Sequence, residues 1–246
     1  MKTICIDIGN TDICAGVYDD SKLIDHTRCP SDTRSSEFFD GGPDFVYDRA
    51  IISSVVPNVT KCWTDEISEH YGIETVLCSA KTAGDLFVCN VDNRDSIGAD
   101  RVADAVAARQ IYGNNCIVVD FGTATNIEYI DHNGIFQGGI FAPGLWSGMK
   151  GLEHAAAKLP DVRIELPSNL IGKNTIDAIQ SGVVFGEACR VDGLVAKIIE
   201  QVSPDDPPKV IATGGFSPLM TKICKCFTIF DNLLTIKGLW IIIDSQ

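Results

Sequence analysis

Asp7-Ile8-Gly9-Asn10-Thr11, entered through the apolar run Thr3-Ile4-Cys5-Ile6, is written again as Asp120-Phe121-Gly122-Thr123-Ala124-Thr125 behind Cys116-Ile117-Val118-Val119. The copies stand 113 residues apart in a chain of 246, so the sequence reads as two halves, each long enough to bury a core. Each copy is a strand that stops at a tight glycine turn. Residues 13–18 and 22–24 continue the first as a hairpin meander through Asp19-Asp20-Ser21, and 126–130 with 134–137 continue the second around Asp131-His132-Asn133-Gly134. Glycine lets a backbone approach a phosphate closely, amides in such a turn donate to its oxygens, and Asn or Thr side chains add donors. An Asp at the head of the turn can hold a phosphate-bound cation, directly or through water. One such hairpin alone is an ordinary β-turn. Two, together with Thr213-Gly214-Gly215 after an apolar strand at 210–212, fit a nucleotide held between two domains. No Walker sequence competes, because 144–150 lacks the Gly-Lys-Ser/Thr ending.

The bulk composition narrows the field. Lys plus Arg number 20 against 33 Asp plus Glu, a net charge of −13, which argues against binding a nucleic-acid backbone but not against binding nucleotides. The 10 cysteines lack finger or ribbon spacing, and Cys224-Lys225-Cys226 is one residue short of a redox or zinc pair, so reduced, mostly buried thiols in a cytoplasmic protein are expected. No apolar run reaches the ~20 residues of a membrane span or forms a signal-peptide core, and Asn58-Val59-Thr60 is then a chance glycosylation match. His26, His70, His132 and His154 form no metal-ligand spacing, and the three tryptophans read as packing residues.

Between the motifs, 29–43 reads as loop or short helix, 50–56 as a buried strand ended by Pro57, and Pro57 opens a helix to about residue 71. A strand near 75–78 and a polar stretch 89–97 lead to Gly98-Ala99-Asp100-Arg101, which opens a helix through Val102, Val106 and Ile111. Gly113-Asn114-Asn115 closes it and sets the expected boundary, with domains 1–115 and 116–246. Beyond it, 138–144 reads as a glycine-rich passage into a helix running to about Lys158. Residues 176–202 read as one long helix or a helix pair, 203–208 as a loop, and 233–243 as a closing apolar element, helix or strand.

The Asp7, Asp120 and Gly214-Gly215 elements resemble the two phosphate motifs and the adenosine motif of the actin and sugar kinase superfamily. More narrowly, the chain resembles the type III pantothenate kinases. Besides the two turns, the resemblance runs in order through 98–101, 138–144, Lys158-Leu159-Pro160, Gly172-Lys173-Asn174-Thr175 and Lys237-Gly238-Leu239. It implies an α/β fold of two similar ribonuclease-H-like domains, with mixed sheets, flanking helices and an interdomain cleft.

The same resemblance implies ATP along Asp7, Ile8, Gly9, Asn10, Thr11, Asp12, Ile13 and Cys14, with magnesium at Asp7, and Thr123 facing the γ-phosphate. Asp120 corresponds to the ligand of a monovalent cation, potassium or ammonium. Pantothenate would be met by Gly98, Ala99, Asp100 and Arg101, and by Thr175 of a neighbouring subunit, which implies a homodimer with sites at its interface. Asp100 is the expected acceptor of the proton from the substrate's primary hydroxyl. A carboxylate of ordinary pKa ~3.9 is a weak base for an alcohol, but in a loose phosphoryl-transfer transition state the proton leaves late, so position suffices. Without the resemblance, Asp100 and Thr175 read as plain helix caps and Arg101 as a surface charge. Val91 and Arg94 stand where the family usually has a substrate-contacting Tyr and a Pro, which puts substrate affinity in question. Asn126 replaces a common Thr, and Cys14 a Lys. Two rival readings share these residues: a non-catalytic regulatory protein on the same fold, and a kinase of another small hydroxy acid.

Overall fold

The structure is a computed structural model that describes residues 1–41, 45–155, 162–202 and 205–246. Its elements run β1 (Lys2–Ile8), β2 (Asp12–Asp19), β3 (Lys22–Pro30), α1 (Ser35–Gly41), β4 (Arg49–Ser54), α2 (Pro57–Tyr71), β5 (Thr75–Leu77), α3 (Ala80–Ala83) and α4 (Ala99–Ala107). There follow β6 (Cys116–Phe121), β7 (Ala124–Ile130), β8 (Phe136–Pro143), α5 (Leu145–Ala155), α6 (Thr175–Val202), β9 (Lys209–Thr213), α7 (Ser217–Met220), β10 (Ile229–Phe230) and α8 (Leu234–Asp244). The expected continuation of α5 to Lys158, the Lys158-Leu159-Pro160 motif, Gly42-Pro43 and the start of the 203–208 loop lie outside the described residues.

The two sheets have the same strand order. One runs β3-β2-β1-β4-β5 and the other β8-β7-β6-β9-β10, each with an antiparallel meander on one side and parallel strands on the other. Such a sheet can be covered on both faces, and β1 accordingly buries Ile4, Ile6 and Ile8 on one face and Thr3 and Cys5 on the other. In the first, Ile4, Ile6, Ile8, Ile13 and Val17 face Trp63 and Ile67 of α2. In the second, Ile117, Val119, Phe121 and Ile127 face Val184, Ala188, Val191 and Val195 of α6. Pro57 opens α2 as its missing N–H allows, and Gly72 closes it in the left-handed region at φ 66°.

The compact units are Met1–Ile111 with Leu234–Gln246, and Tyr112–Leu233, so the closing segment is not part of the second unit as a cut at 115/116 has it. The cause is local packing. A Cβ on Gly238 of α8 would come within 1.9 Å of the Ala103 carbonyl oxygen of α4, and one on Gly16 within 2.4 Å of Ile236, so two glycines let α8 press onto α4 and β2. Trp240 stacks on Tyr18 at 5.1 Å, and Arg49 donates to the Ile243 carbonyl. A second correction concerns 138–144. The segment does lead into a helix, α5 from Leu145, but 138–143 belongs to β8, where a Cβ on Gly139 would meet the Ile127 carbonyl oxygen at 2.3 Å. Here glycine permits close strand pairing instead of breaking it.

Candidate active site

In the first unit the Asp7 turn is a tight β1–β2 hairpin. The Gly9 amide donates to the Asp12 carbonyl at 3.0 Å, while the carbonyls of Asn10 and Thr11 accept from the Ser31 hydroxyl and the Ser31 amide, both at 2.9 Å. In a trans peptide the N–H points opposite to the C=O, so the Thr11 and Asp12 amides are turned away from Ser31. The turn is thus anchored through its acceptors, and its donors face the other side. Of the residues expected to line ATP, Ile8 and Ile13 have their side chains in the core, so only their backbone is available there, and Asn10 is exposed.

Asp7 projects from the opposite face of the sheet. Register places it in a row with Ser53 of β4, Cys14 of β2 and Arg28 of β3. Burial pushes its carboxyl up to about 7; the nearby Asp100 charge acts in the same direction. The Ser53 hydroxyl, beside it but not closing a full hydrogen bond, and Arg28 oppose the rise. Asp7 keeps some solvent access, which moderates the effect.

Asp100 stands on the first turn of α4. Its Oδ1 accepts from the Arg101 amide at 2.8 Å, and a Cβ on Gly98 would lie 2.4 Å from that same oxygen. Glycine at 98 is what leaves room for the carboxylate. Cys78, at the end of β5, donates its thiol to the Ala99 carbonyl at 3.4 Å and ties the helix start to the sheet. Arg101 is partly exposed, and its backbone amide holds Asp100. Arg94, which sequence reasoning marked as a departure at a usual proline, has a plain structural use. One guanidinium nitrogen donates to the carbonyls of Ala80 at 2.7 Å, Phe87 at 3.0 Å and Gly84 at 3.1 Å, so it gathers the loop that leads to Gly98.

In the second unit the Asp120 turn is fastened from a different side. Gly122 donates to the Ala124 carbonyl at 3.1 Å, and the Thr123 carbonyl accepts from the Gly144 amide at 3.2 Å and the Ser147 hydroxyl at 2.6 Å. The Thr123 side chain is left exposed. Gly214, at φ 88°, packs directly on this turn: a Cβ there would come within 2.1 Å of Asp120 Oδ1 and 2.6 Å of the Phe121 amide nitrogen. Its first role is therefore to admit the Asp120 carboxylate. Asn126 lies directly across the ladder from Asp120, and its Oδ1 is buried with no hydrogen-bond partner.

Thr175 is exposed at the start of α6, and Asn174, not Thr175, is the cap. Asn174 Oδ1 accepts from the Asp177 amide at 2.9 Å. Thr175 lines an open hollow of about 630 Å³ with Leu152, Lys173, Ala178 and Ile179.

The model of the type III pantothenate kinase family matches residues 3–197. The chain belongs to the type III pantothenate kinase family. Relatives named type III pantothenate kinase include one from Listeria monocytogenes, 38% identical over 96% of this chain and 94% of its own. Others are from Halalkalibacterium halodurans, 36% identical over 97% of both chains, and Agathobacter rectalis, 34% identical over 99% and 97%. Among solved structures, a Campylobacter jejuni protein described as a Baf-family transcriptional activator has a TM-score of 0.60 at 21% identity, covering 98% of both chains. An activator of 2-hydroxyisocaproyl-CoA dehydratase from Clostridium difficile, with bound ADPNP, has a TM-score of 0.56 at 12% identity, covering 100% of this chain and 96% of its own. These likenesses show the actin and sugar kinase fold.

Members of a type III pantothenate kinase family use ATP with a divalent metal, and the residues present suit that demand. Two mutually opposed carboxylates, Asp7 and Asp100, favour a cation beside them, and hard oxygen donors suit magnesium. Among the described residues no cluster of three or more ligating groups could hold a metal by itself. Magnesium held by one carboxylate and the phosphates of its nucleotide needs no such cluster. No helix among the described residues is long and apolar enough to cross a membrane.

Sequence reasoning missed Glu187 and Arg190. Glu187 is 5% exposed, accepts from the Thr125 hydroxyl at 2.7 Å and pairs with Arg190, which also donates to the Pro143 carbonyl at 2.6 Å. This network braces the second turn from behind. Its signal was present: a glutamate on the buried stripe of α6 between Val184, Ala188 and Val191.

Proposed function

We propose that this protein transfers the γ-phosphoryl group of ATP to pantothenate, giving 4′-phosphopantothenate, the first step of coenzyme A biosynthesis. The observation that carries the mechanism is the approach of Asp100 to Asp7, an acceptor-side carboxylate beside a nucleotide-side one. Magnesium, bound at Asp7 and the phosphates, would offset the developing charge on the transferring group. Asp100 orients the primary hydroxyl of pantothenate and takes its proton as the new P–O bond forms and the bond to ADP breaks. Its fixed hydrogen bond from Arg101 holds one oxygen in place for that purpose. Gly98, Ala99 and Arg101 flank the acceptor, and Thr123 offers its hydroxyl to the phosphate.

Asp120 is the proposed ligand of potassium or ammonium. The unpartnered Asn126 Oδ1 across the ladder supplies a second oxygen of the right character. A homodimer in which Thr175 meets the neighbour's pantothenate is favoured by the apolar surface around α6, where Ile171 is 79%, Leu170 66% and Ile176 46% exposed. A cytoplasmic setting, with its ATP supply and reduced thiols, goes with this reading. The test is ADP release by the purified protein across a panel of small hydroxy acids. Release that requires pantothenate and falls without potassium or ammonium supports the proposal, and hydrolysis indifferent to pantothenate overturns it.

A further inference from the structure

We infer that Arg28 is a phosphate-binding residue of the first turn, its guanidinium leaving Asp12 for the terminal phosphate oxygens of ATP when the nucleotide binds. The inference rests on ATP binding at 7–14. Three observations carry it. First, Asp7, Cys14 and Arg28 form one transverse row on one face of the sheet, Asp7 opposite Cys14 and Cys14 opposite Arg28. With strands about 4.8 Å apart, Asp7 and Arg28 backbones are separated by roughly 10 Å. The residue between them is a short, buried cysteine, so nothing bulky stands in the way of a long side chain crossing the row.

Second, the charge at this end of the sheet is unbalanced. Asp7, Asp12 and Asp100 are acidic, and a nucleotide adds phosphate charge; Arg101 stands beside Asp100 and Arg34 lies beyond the end of β3, so on β1–β3 from 3 to 33 the basic residues besides Arg28 are Lys22, at the other end of the β2–β3 hairpin, and His26. Arg28 already acts on Asp7, holding its carboxyl lower than burial alone would. Third, its present bond is a weak one. The Arg28 to Asp12 contact is long at 3.5 Å, and the side chains are 41% and 43% exposed, conditions under which an ion pair contributes little. A phosphate with bidentate geometry is the stronger partner. The segment that carries Arg28 is meanwhile held on the turn, since Ser31 bonds both Asn10 and Thr11.

The test compares Arg28→Gln, Arg28→Lys, Asp12→Asn and Asn10→Ala by calorimetric binding of Mg·ATP and by steady-state kinetics, with melting temperature as a folding control. Arg28→Gln is expected to weaken ATP binding at least about tenfold, with the KM for pantothenate little changed and a shallower salt dependence of ATP affinity. Arg28→Lys recovers part of the loss. Asp12→Asn, which removes the competing carboxylate, tightens ATP binding. If Arg28 only ties β2 to β3, Arg28→Gln and Asp12→Asn lose stability together and move ATP affinity the same way, which overturns the proposal. Should Asn10→Ala weaken ATP binding while Arg28→Gln does not, the role of Arg28 falls and the first-turn site stands. Indifference of both variants overturns the inference and leaves phosphate binding to the backbone amides of the turn.

Discussion

The first and second units carry the same strand order and the same Asp-x-Gly turn, yet they surround it differently. The Asp7 turn is anchored through its carbonyls to Ser31, and its carboxylate meets a second carboxylate. The Asp120 turn is anchored through Gly144 and Ser147, and its carboxylate meets the backbone of Gly214 and an amide across the ladder. The motif sets where an aspartate stands; its neighbours set which charge it will accept. Crowded acids favour a strongly charged divalent ion with phosphate, and a single acid beside neutral oxygens favours a monovalent one.

The comparison breaks most sharply at Asp100, which has no counterpart beside the second turn in this reading. Asp100→Asn should lower kcat by roughly 10²–10⁴-fold while the fold and Mg·ATP binding persist. Biological activity unchanged by the substitution would instead favour a regulatory protein on this fold. In the second unit the largest effect is expected at Gly214. Gly214→Ala combines a left-handed φ with overlap onto Asp120 and Phe121, and should destabilise by about 3 kcal/mol in denaturant titration. Gly72→Ala, at a similar φ but with nothing within 4 Å, should cost only about 1 kcal/mol. Equal losses at the two would mean that backbone strain, not the seating of Asp120, explains Gly214.

Next comes the brace that only the second turn has. Glu187→Ala leaves the Thr125 hydroxyl and Arg190 without their shared partner, at a cost of about 2 kcal/mol. If the brace positions Asp120, the monovalent-cation requirement of the kinase should shift upward in concentration in this variant. A stability loss with an unaltered cation requirement would make the network purely structural.

The two meanders and the repeated turn were legible because each is carried by local patterning: an apolar run, a glycine, a hairpin. What was not legible depends on partners distant in sequence. Gly139, Gly214 and Gly238 look alike in sequence, but one admits a neighbouring strand, one a carboxylate and one a helix. The membership of α8 in the first unit turns on Gly16, more than 200 residues away. Arg94 read only as a departure at a usual proline, whereas three carbonyls brought together by the 80–87 turn explain it. Asp100 was legible as a site only through the family resemblance, since alone it reads as a helix cap; that Gly98 leaves space for its carboxylate emerges only in three dimensions.

The finest test of the contrast between the turns is the pH dependence of the nucleotide-free protein. Asp7 is raised from an ordinary value of 3.8 to about 7 in the folded state, so the folded protein binds a proton there more tightly than the unfolded chain does. Stability from this group is full below pH 4, declines as pH rises, and is lost above pH 7. Asp7→Asn removes the dependence. With solvent access moderating the shift, the variant should be more stable than the natural protein by about 1 kcal/mol at pH 8, with no such gain near pH 4. Adding Mg·ATP at pH 8 should reverse the order, because ligand binding stabilises only the chain that retains Asp7. Parallel melting curves at every pH would show that neither burial nor the Asp100 charge burdens Asp7, and the first turn would then have no more need of a divalent ion than the second.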